Sequence, residues 1–275
     1  MMKKHISTIF MTVMLIAGLC IFLYPSVSNY INSKHQTRAI DSYNEALANL
    51  SKADYESYWT AAKEYNSKVA ELGGNLELEG NQMTEYNNVL DPTGTGVMGH
   101  LEIPNISVDL PIYHGVEESV LSVGIGHLPG SSLPIGGEST HTVLSGHRGL
   151  PSSKLLSDLD QMVVGDTFLI HVLDQTLAYQ VDQINIVLPD ETQLLGVYNN
   201  EDYCTLVTCT PYGVNTHRLL VRGKRVEYNA ESRLIIAADA IKYSPIVVAP
   251  FIGGPMLLMI AAAFIAGTSN RARRK

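Results

Sequence analysis

The chain has 275 residues, enough for one sizeable folded domain plus anchoring segments. Its composition is 45% hydrophobic and only 17% charged, and the mean hydropathy of +0.07 is high for a wholly water-soluble protein. The net charge of −8 argues against a nucleic-acid partner, which needs a basic surface.

Two segments explain the apolar excess. Ile6 to Tyr24 carries no charge and follows Lys3 and Lys4. Ile246 to Ala266 carries no charge and precedes Arg271, Arg273, Arg274 and Lys275. A helix of about 20 residues crosses a hydrocarbon core of roughly 30 Å. With basic residues at the outer end of both segments, the positive-inside rule puts both termini in the cytoplasm and the middle of the chain outside. The first segment has a rival reading as a cleaved leader, because Ser26 and Ser28 in "PSVSNY" are spaced like a signal-peptidase site. Its length favours a retained anchor.

After the first anchor, residues 38–72 read as helical. Ile40, Tyr43, Leu47 and Leu50, then Tyr55, Trp59, Ala62, Tyr65, Val69 and Leu72, recur at spacings of three and four. They describe two amphipathic helices with their apolar faces on a core. Asp54 is placed to cap the second, and Gly73-Gly74 to end it. Residues 75–88 are polar without a clear period and read as a mobile connection.

From Gly96 the pattern changes to strands. Short β-prone runs broken by Pro104 and Pro111 fill 97–115, and further runs cover 141–147, 166–173, 177–189, 203–209 and 217–228. Asp174-Gln175-Thr176 reads as a hairpin connection, and one short helix is expected over 153–160. Many short strands separated by turn residues predict a closed or nearly closed β-barrel.

Three cysteines are present. Cys20 lies within the first apolar segment. Cys204 and Cys209 share one strand and point to opposite faces of it, which rules out a disulfide between them. A thiol left free in an oxidising compartment is a liability unless chemistry uses it. "YCTLVTC" and "HRLLVRG" are joined by the seven residues Thr210 to Thr216, a hairpin that brings Cys209 and Arg218 to the same end of a sheet. A guanidinium beside a thiol favours thiolate. His147 follows another strand within "LSGHRGLP". A nucleophilic cysteine needs a proton partner and an oxyanion donor, roles open to His147 and Arg218 if the fold assembles them. His127, His141 and His217 read as structural or supporting groups, Cys204 as core. No metal-ligand spacing or acidic calcium cluster appears, and no cofactor or metal is expected.

The segments "TLVTCTPYGVNTHRLLVRG" and "LPIGGESTHTVLSGHRGLP" resemble the cysteine and histidine segments of sortases. With "MGHLEIPNISVDLPIYHG", "GIGHLPGSSLPIGG" and a C-terminal anchor, the chain is similar to class C, the pilus-assembly branch. The resemblance implies a mainly β fold, an eight-stranded sortase barrel with N-terminal helices and membrane-anchoring helices at both ends. It assigns catalysis to His147, Cys209 and Arg218. It implies cleavage of a Leu-Pro-x-Thr-Gly-type sorting signal through a Cys thioester and transfer to a lysine of another pilin. The expected partners are thus pilin subunits with C-terminal sorting signals, an acceptor pilin lysine and the membrane, with the catalytic domain extracellular. Attachment of surface proteins to a cell-wall precursor, hydrolysis, or a non-catalytic surface scaffold are the alternatives. The domain order follows: anchor or signal segment 1–28, helical region with an atypical lid 29–95, catalytic barrel 96–229, connector 230–245, membrane helix 246–268 and basic tail 269–275. Class C enzymes usually carry an Asp-Pro-aromatic lid motif. Here Asp91-Pro92 is followed by Thr93 and reads as an ordinary turn, while 73–82, the expected lid position, has no such motif.

Overall fold

The computed structural model describes residues 2–74, 77–228, 253–256 and 259. They fall into two compact units, one holding the chain up to Ile31 and one beginning at Asn32.

The first unit holds the start of helix α1 (Met2–Ala48). From Ile9 onward this helix is long and apolar enough to cross a membrane, with Phe10, Ile16, Ile21 and Phe22 exposed. Such a surface is stable in hydrocarbon, and the alternative of burying it in a core does not apply because none of the window is covered. Pro25 sits inside the helix. The expected C-terminal span 246–268 lies outside the described residues apart from 253–256 and 259, which are helical. The connector and basic tail lie outside them as well.

The second unit is a closed eight-stranded barrel with helices on it, as the sequence implied. The strands are β1 (Val97–Ile103), β2 (Val108–His114), β3 (Ile125–His127), β4 (Thr140–Ser145), β5 (Thr167–Val172), β6 (Gln175–Val187), β7 (Asp202–Thr210) and β8 (His217–Val226), in the order β1-β2-β3-β4-β7-β8-β6-β5. Closure pairs every strand on both sides, so no unpaired edge is left. The β2–β3 and β4–β7 pairs are parallel and the others antiparallel. Alternation fills the interior with Leu101, Ile112, Leu144, Phe168, Ile170, Tyr179, Leu206 and Val221.

The end of α1, with α2 (Lys52–Glu71) and α3 (Asn81–Asn88), packs on the barrel. Tyr43, Leu47, Ala62, Tyr65 and Val69 are buried as their periodicity requires, whereas Leu72 is exposed. Polar tips fix where the helices dock. The Tyr43 hydroxyl donates to Met98 O at 3.0 Å and accepts from Leu173 N at 2.8 Å. Asn66 Oδ1 accepts from Leu133 N at 2.7 Å, and its Nδ2 donates to Leu133 O at 3.2 Å.

Several expectations are corrected. The α2 cap is Ser51, whose side chain accepts from Asp54 N, while Asp54 answers from the third helical position by accepting from Ser51 N. The stretch expected as a mobile connection contains α3, pinned by fully buried Tyr86, whose hydroxyl accepts from Gly115 N at 3.0 Å and meets His127 Nδ1 at 2.9 Å. In place of a helix over 153–160 there are turns and a 3-10 turn at Leu159–Gln161. Leu155 at φ 41° interrupts any helix there, and Leu156 N bonds back to His147 O at 3.1 Å. β3, only three residues long, carries no readable alternation.

Candidate active site

Strand register places the three candidate residues. On the antiparallel pair β7–β8, Cys209 lies directly opposite Arg218, and on β6–β8 Arg218 lies opposite Val187. Residues opposite one another share a face, so the thiol and the guanidinium point to the same, outer side of the barrel. β4 runs parallel to β7 on its other flank, with Ser145 opposite Val207. The pairing continues past the strand end: Gly146 N donates to Val207 O at 3.0 Å, and Thr208 Oγ1 donates to Gly146 O at 2.7 Å. His147, the next residue, therefore leaves β4 beside the end of β7. The fold brings histidine, cysteine and arginine to one end of one sheet.

Their present hydrogen bonds go elsewhere. His147 Nε2 meets Glu118 Oε2 at 3.0 Å, from the one-turn helix α4 (Glu118–Leu121). Arg218 Nη1 donates to Asn215 O at 3.3 Å and to His217 O at 3.2 Å. Both bonds use Nη1. Cys209 is half-buried. Glu118 was not expected from the sequence. It lies far upstream of His147 in a segment with no motif, and only the tertiary fold joins them.

The part of the outer face next to this pair is apolar. Val207 opposite Leu220 continues the row of Cys209 and Arg218 by one step, and buried Val143, Leu195 and Leu220 pack with Leu128, Val187, Leu194 and Val207. The thiol thus stands at the end of an apolar floor, roofed in part by the β6–β7 connection. Cys204 faces the other way, fully buried in the barrel core, where burial pushes its thiol pKa well up and the nearby Asp202 carboxylate adds to the effect. It is held as the neutral thiol.

Two other histidines are buried and bonded to backbone carbonyls. Burial drives His127 down to about 3, even though Nε2–H donates to Ser132 O at 2.8 Å. Burial likewise drives His141 to about 4; its Nδ1–H donates to Gly196 O at 2.7 Å and its Nε2 faces the Thr205 hydroxyl at 2.7 Å. His217 is bonded to Thr216. Among the described residues no group of three or more His, Cys, Asp or Glu side chains is arranged to hold a metal ion.

The family model described as a sortase domain matches residues 101–226. The chain is 51% identical to sortase C1 of Streptococcus agalactiae, over 70% of this chain and 100% of that one, with a TM-score of 0.68. It is 45% identical to sortase C of Streptococcus pneumoniae, a structure concerned with pilin substrate specificity, over 70% of this chain and 98% of that one at a TM-score of 0.63. Sortase D of Bacillus subtilis is 30% identical over 131 residues, 46% of this chain, and the match spans 63% of that curated relative's length.

Proposed function

This chain belongs to the sortase family, and on that footing we propose that it is a membrane-anchored cysteine transpeptidase that joins pilin subunits. The carrying observation is the register that sets Cys209 opposite Arg218 while β4 delivers His147 beside the same strand end. The likeness to sortase C1 of Streptococcus agalactiae and sortase C of Streptococcus pneumoniae supports the pilin assignment.

The sorting signal lies along the apolar floor of Val207, Leu220 and Leu195, where its Leu and Pro side chains are removed from water. Cys209, as thiolate, attacks the carbonyl carbon of the signal's threonine. The developing oxyanion accepts hydrogen bonds from Arg218. His147 gives its proton to the departing glycine nitrogen as the amide bond breaks, leaving a thioester on Cys209. A neutral lysine amine of the next pilin then attacks the thioester. His147 takes the proton, the C–S bond breaks and an isopeptide bond remains. Thioesters react readily with amines, so a thiol suits a transferase that works in water. The first part of α1 serves as the membrane anchor.

The test is product analysis. Enzyme incubated with a sorting-signal peptide should carry a thioester on Cys209 by mass spectrometry, and addition of a pilin domain with its acceptor lysine should convert that adduct to an isopeptide-linked product. No adduct would sink the enzymatic reading. Transfer to a cell-wall-precursor amine but not to the pilin lysine would replace the pilus assignment with surface-protein attachment.

A further inference from the structure

His147 and Cys209 are each flanked by residues that are bonded to one another. The residue before each is joined by Thr208 Oγ1 donating to Gly146 O at 2.7 Å. The residue after each is joined by Arg148 Nη1 donating to Thr210 Oγ1 at 3.2 Å. The histidine loop and the cysteine strand end are thus tied on both sides of the two reacting side chains. We infer that Arg148 is a positioning residue that sets the spacing between His147 and Cys209, and that Thr210 is its anchor on the cysteine strand. The inference rests on the reading of His147 and Cys209 as the reacting pair.

Arg148 is built as a strut. It is buried, unusual for an arginine, and its guanidinium is held from three directions. Nη2 is ion-paired with Asp160 in the 3-10 turn at Leu159–Gln161. Nη1 takes Thr210, and the guanidinium carbon lies 5.8 Å from the centre of the Tyr212 ring. Nε is buried without a hydrogen-bond partner among the described residues. A buried guanidinium with an unmatched donor is placed by the demands of the bridge more than by its own hydrogen bonding. Only a planar group with separate terminal nitrogens can hold a carboxylate and a hydroxyl at fixed separation, which lysine cannot.

Of the two ties, the first runs from the Thr208 hydroxyl to the backbone carbonyl of Gly146, where the β4–β7 pairing continues past the strand end. The Arg148 tie joins two side chains and lies further along, beyond the ladder, where the histidine loop turns away from the strand. Without it, the loop after His147 is held by Leu156 N to His147 O at 3.1 Å and Gly149 N to Ser157 Oγ at 3.1 Å. Both of those bonds fasten the loop to its own connection and leave its distance from Cys209 unfixed.

The experiment compares Thr210→Val, Thr210→Ser, Arg148→Gln and Arg148→Lys with the natural protein. Three readouts are taken: melting temperature, single-turnover acylation by a sorting-signal peptide, and the pH profile of Cys209 alkylation by iodoacetamide. Thr210→Val removes the hydroxyl at nearly unchanged shape. It should slow acylation by about tenfold to 10²-fold with KM changed less than about twofold, the loss expected from a misplacement on the order of 1 Å. It should also shift the alkylation profile, since the thiolate's imidazole partner has moved. Thr210→Ser should restore both, while Arg148→Lys should behave like Arg148→Gln. A folded Thr210→Val with natural acylation and an unshifted profile overturns the inference, as does a set of variants that lower only the melting temperature. If Arg148→Gln does not fold, the threonine pair decides alone. A natural protein that forms no thioester would defeat the transpeptidase reading itself, whereas natural activity with indifferent variants defeats only the positioning role.

Discussion

Cys204 and Cys209 lie on opposite faces of β7, one in the barrel core and one on the outer face beside Arg218. Thiolate reacts and thiol does not, so burial that keeps Cys204 protonated also keeps it inert. Cys209→Ala should abolish the thioester while the fold survives. Cys204→Ala should keep most activity and lower stability by about 1–2 kcal/mol for the lost core contacts. Mass spectrometry after peptide incubation locates the adduct, and one on Cys204 would reverse the assignment. Arg218 invites a sharper question, whether it supplies charge or geometry. If directed hydrogen bonds to the oxyanion matter, Arg218→Lys should lose on the order of 10²-fold in turnover, as loss of an oxyanion donor does elsewhere. Single-turnover acylation across pH separates the cases, because a purely electrostatic role would leave the lysine variant near the natural rate at every pH. Glu118 is 77% exposed at the side chain, so its bond to His147 is worth little in water, and Glu118→Gln should slow acylation less than about fivefold.

The turn that starts β1 shows what an element can hide. Asp91 Oδ1 accepts from the Thr93 hydroxyl at 3.1 Å and Thr95 N at 3.1 Å, and Oδ2 accepts from Gly96 N at 3.0 Å. The carboxylate therefore closes the turn leading into the barrel, as an Asp-Pro pair without a following aromatic suggested. Asp91→Ala should cost about 1.5–3 kcal/mol of stability, for three hydrogen bonds at roughly half a kcal/mol to 1 kcal/mol each. It should change peptide cleavage less than about threefold. Denaturant melts and cleavage rates on the same samples check both, and a large rise in cleavage would show Asp91 restraining access to the site. Elements carried by alternation and turn chemistry were legible beforehand: the hairpin register that pairs Cys209 with Arg218 follows from strand length and one loop. Others depend on contacts that no local pattern records. α3 is polar along most of its length and exists because Tyr86 is inserted between Gly115 and His127. Glu118 and the Arg148–Thr210 tie join segments remote in sequence, so their roles appear only once β4 and β7 are known to be neighbours.

At the scale of the whole molecule, two buried histidines, His127 and His141, set the response to acid. His127 joins β3 to Tyr86 of α3 and to Ser132, and His141 joins β4 to Gly196 in the β6–β7 connection. Both are neutral because burial disfavours the charged ring, with values near 3 and 4 against 6.5 for the free side chain. A folded value below the unfolded one means that the unfolded chain binds more protons between the two. Stability is therefore full above about pH 6.5 and is lost as pH falls from there toward about pH 4, where the rings begin to titrate in place. Two such groups give a slope of at most about 2.7 kcal/mol per pH unit. Asp202 works in the opposite sense. Burial raises its pKa, so the folded state holds its proton more tightly and gains stability as pH falls past that value. The net expectation is a loss that sets in below about pH 6.5 and continues toward about pH 4, opposed where Asp202 takes up its proton. The effect should also be selective: with the His141–Gly196 bond at stake, the connection roofing the apolar floor should loosen before the barrel opens. Urea melts from pH 7.5 to 4, with hydrogen exchange at Leu194 to Val197 followed alongside, measure both parts. A melting midpoint that is flat through pH 5 would show that neither histidine is held neutral, and uniform exchange across the barrel would remove the selective loosening.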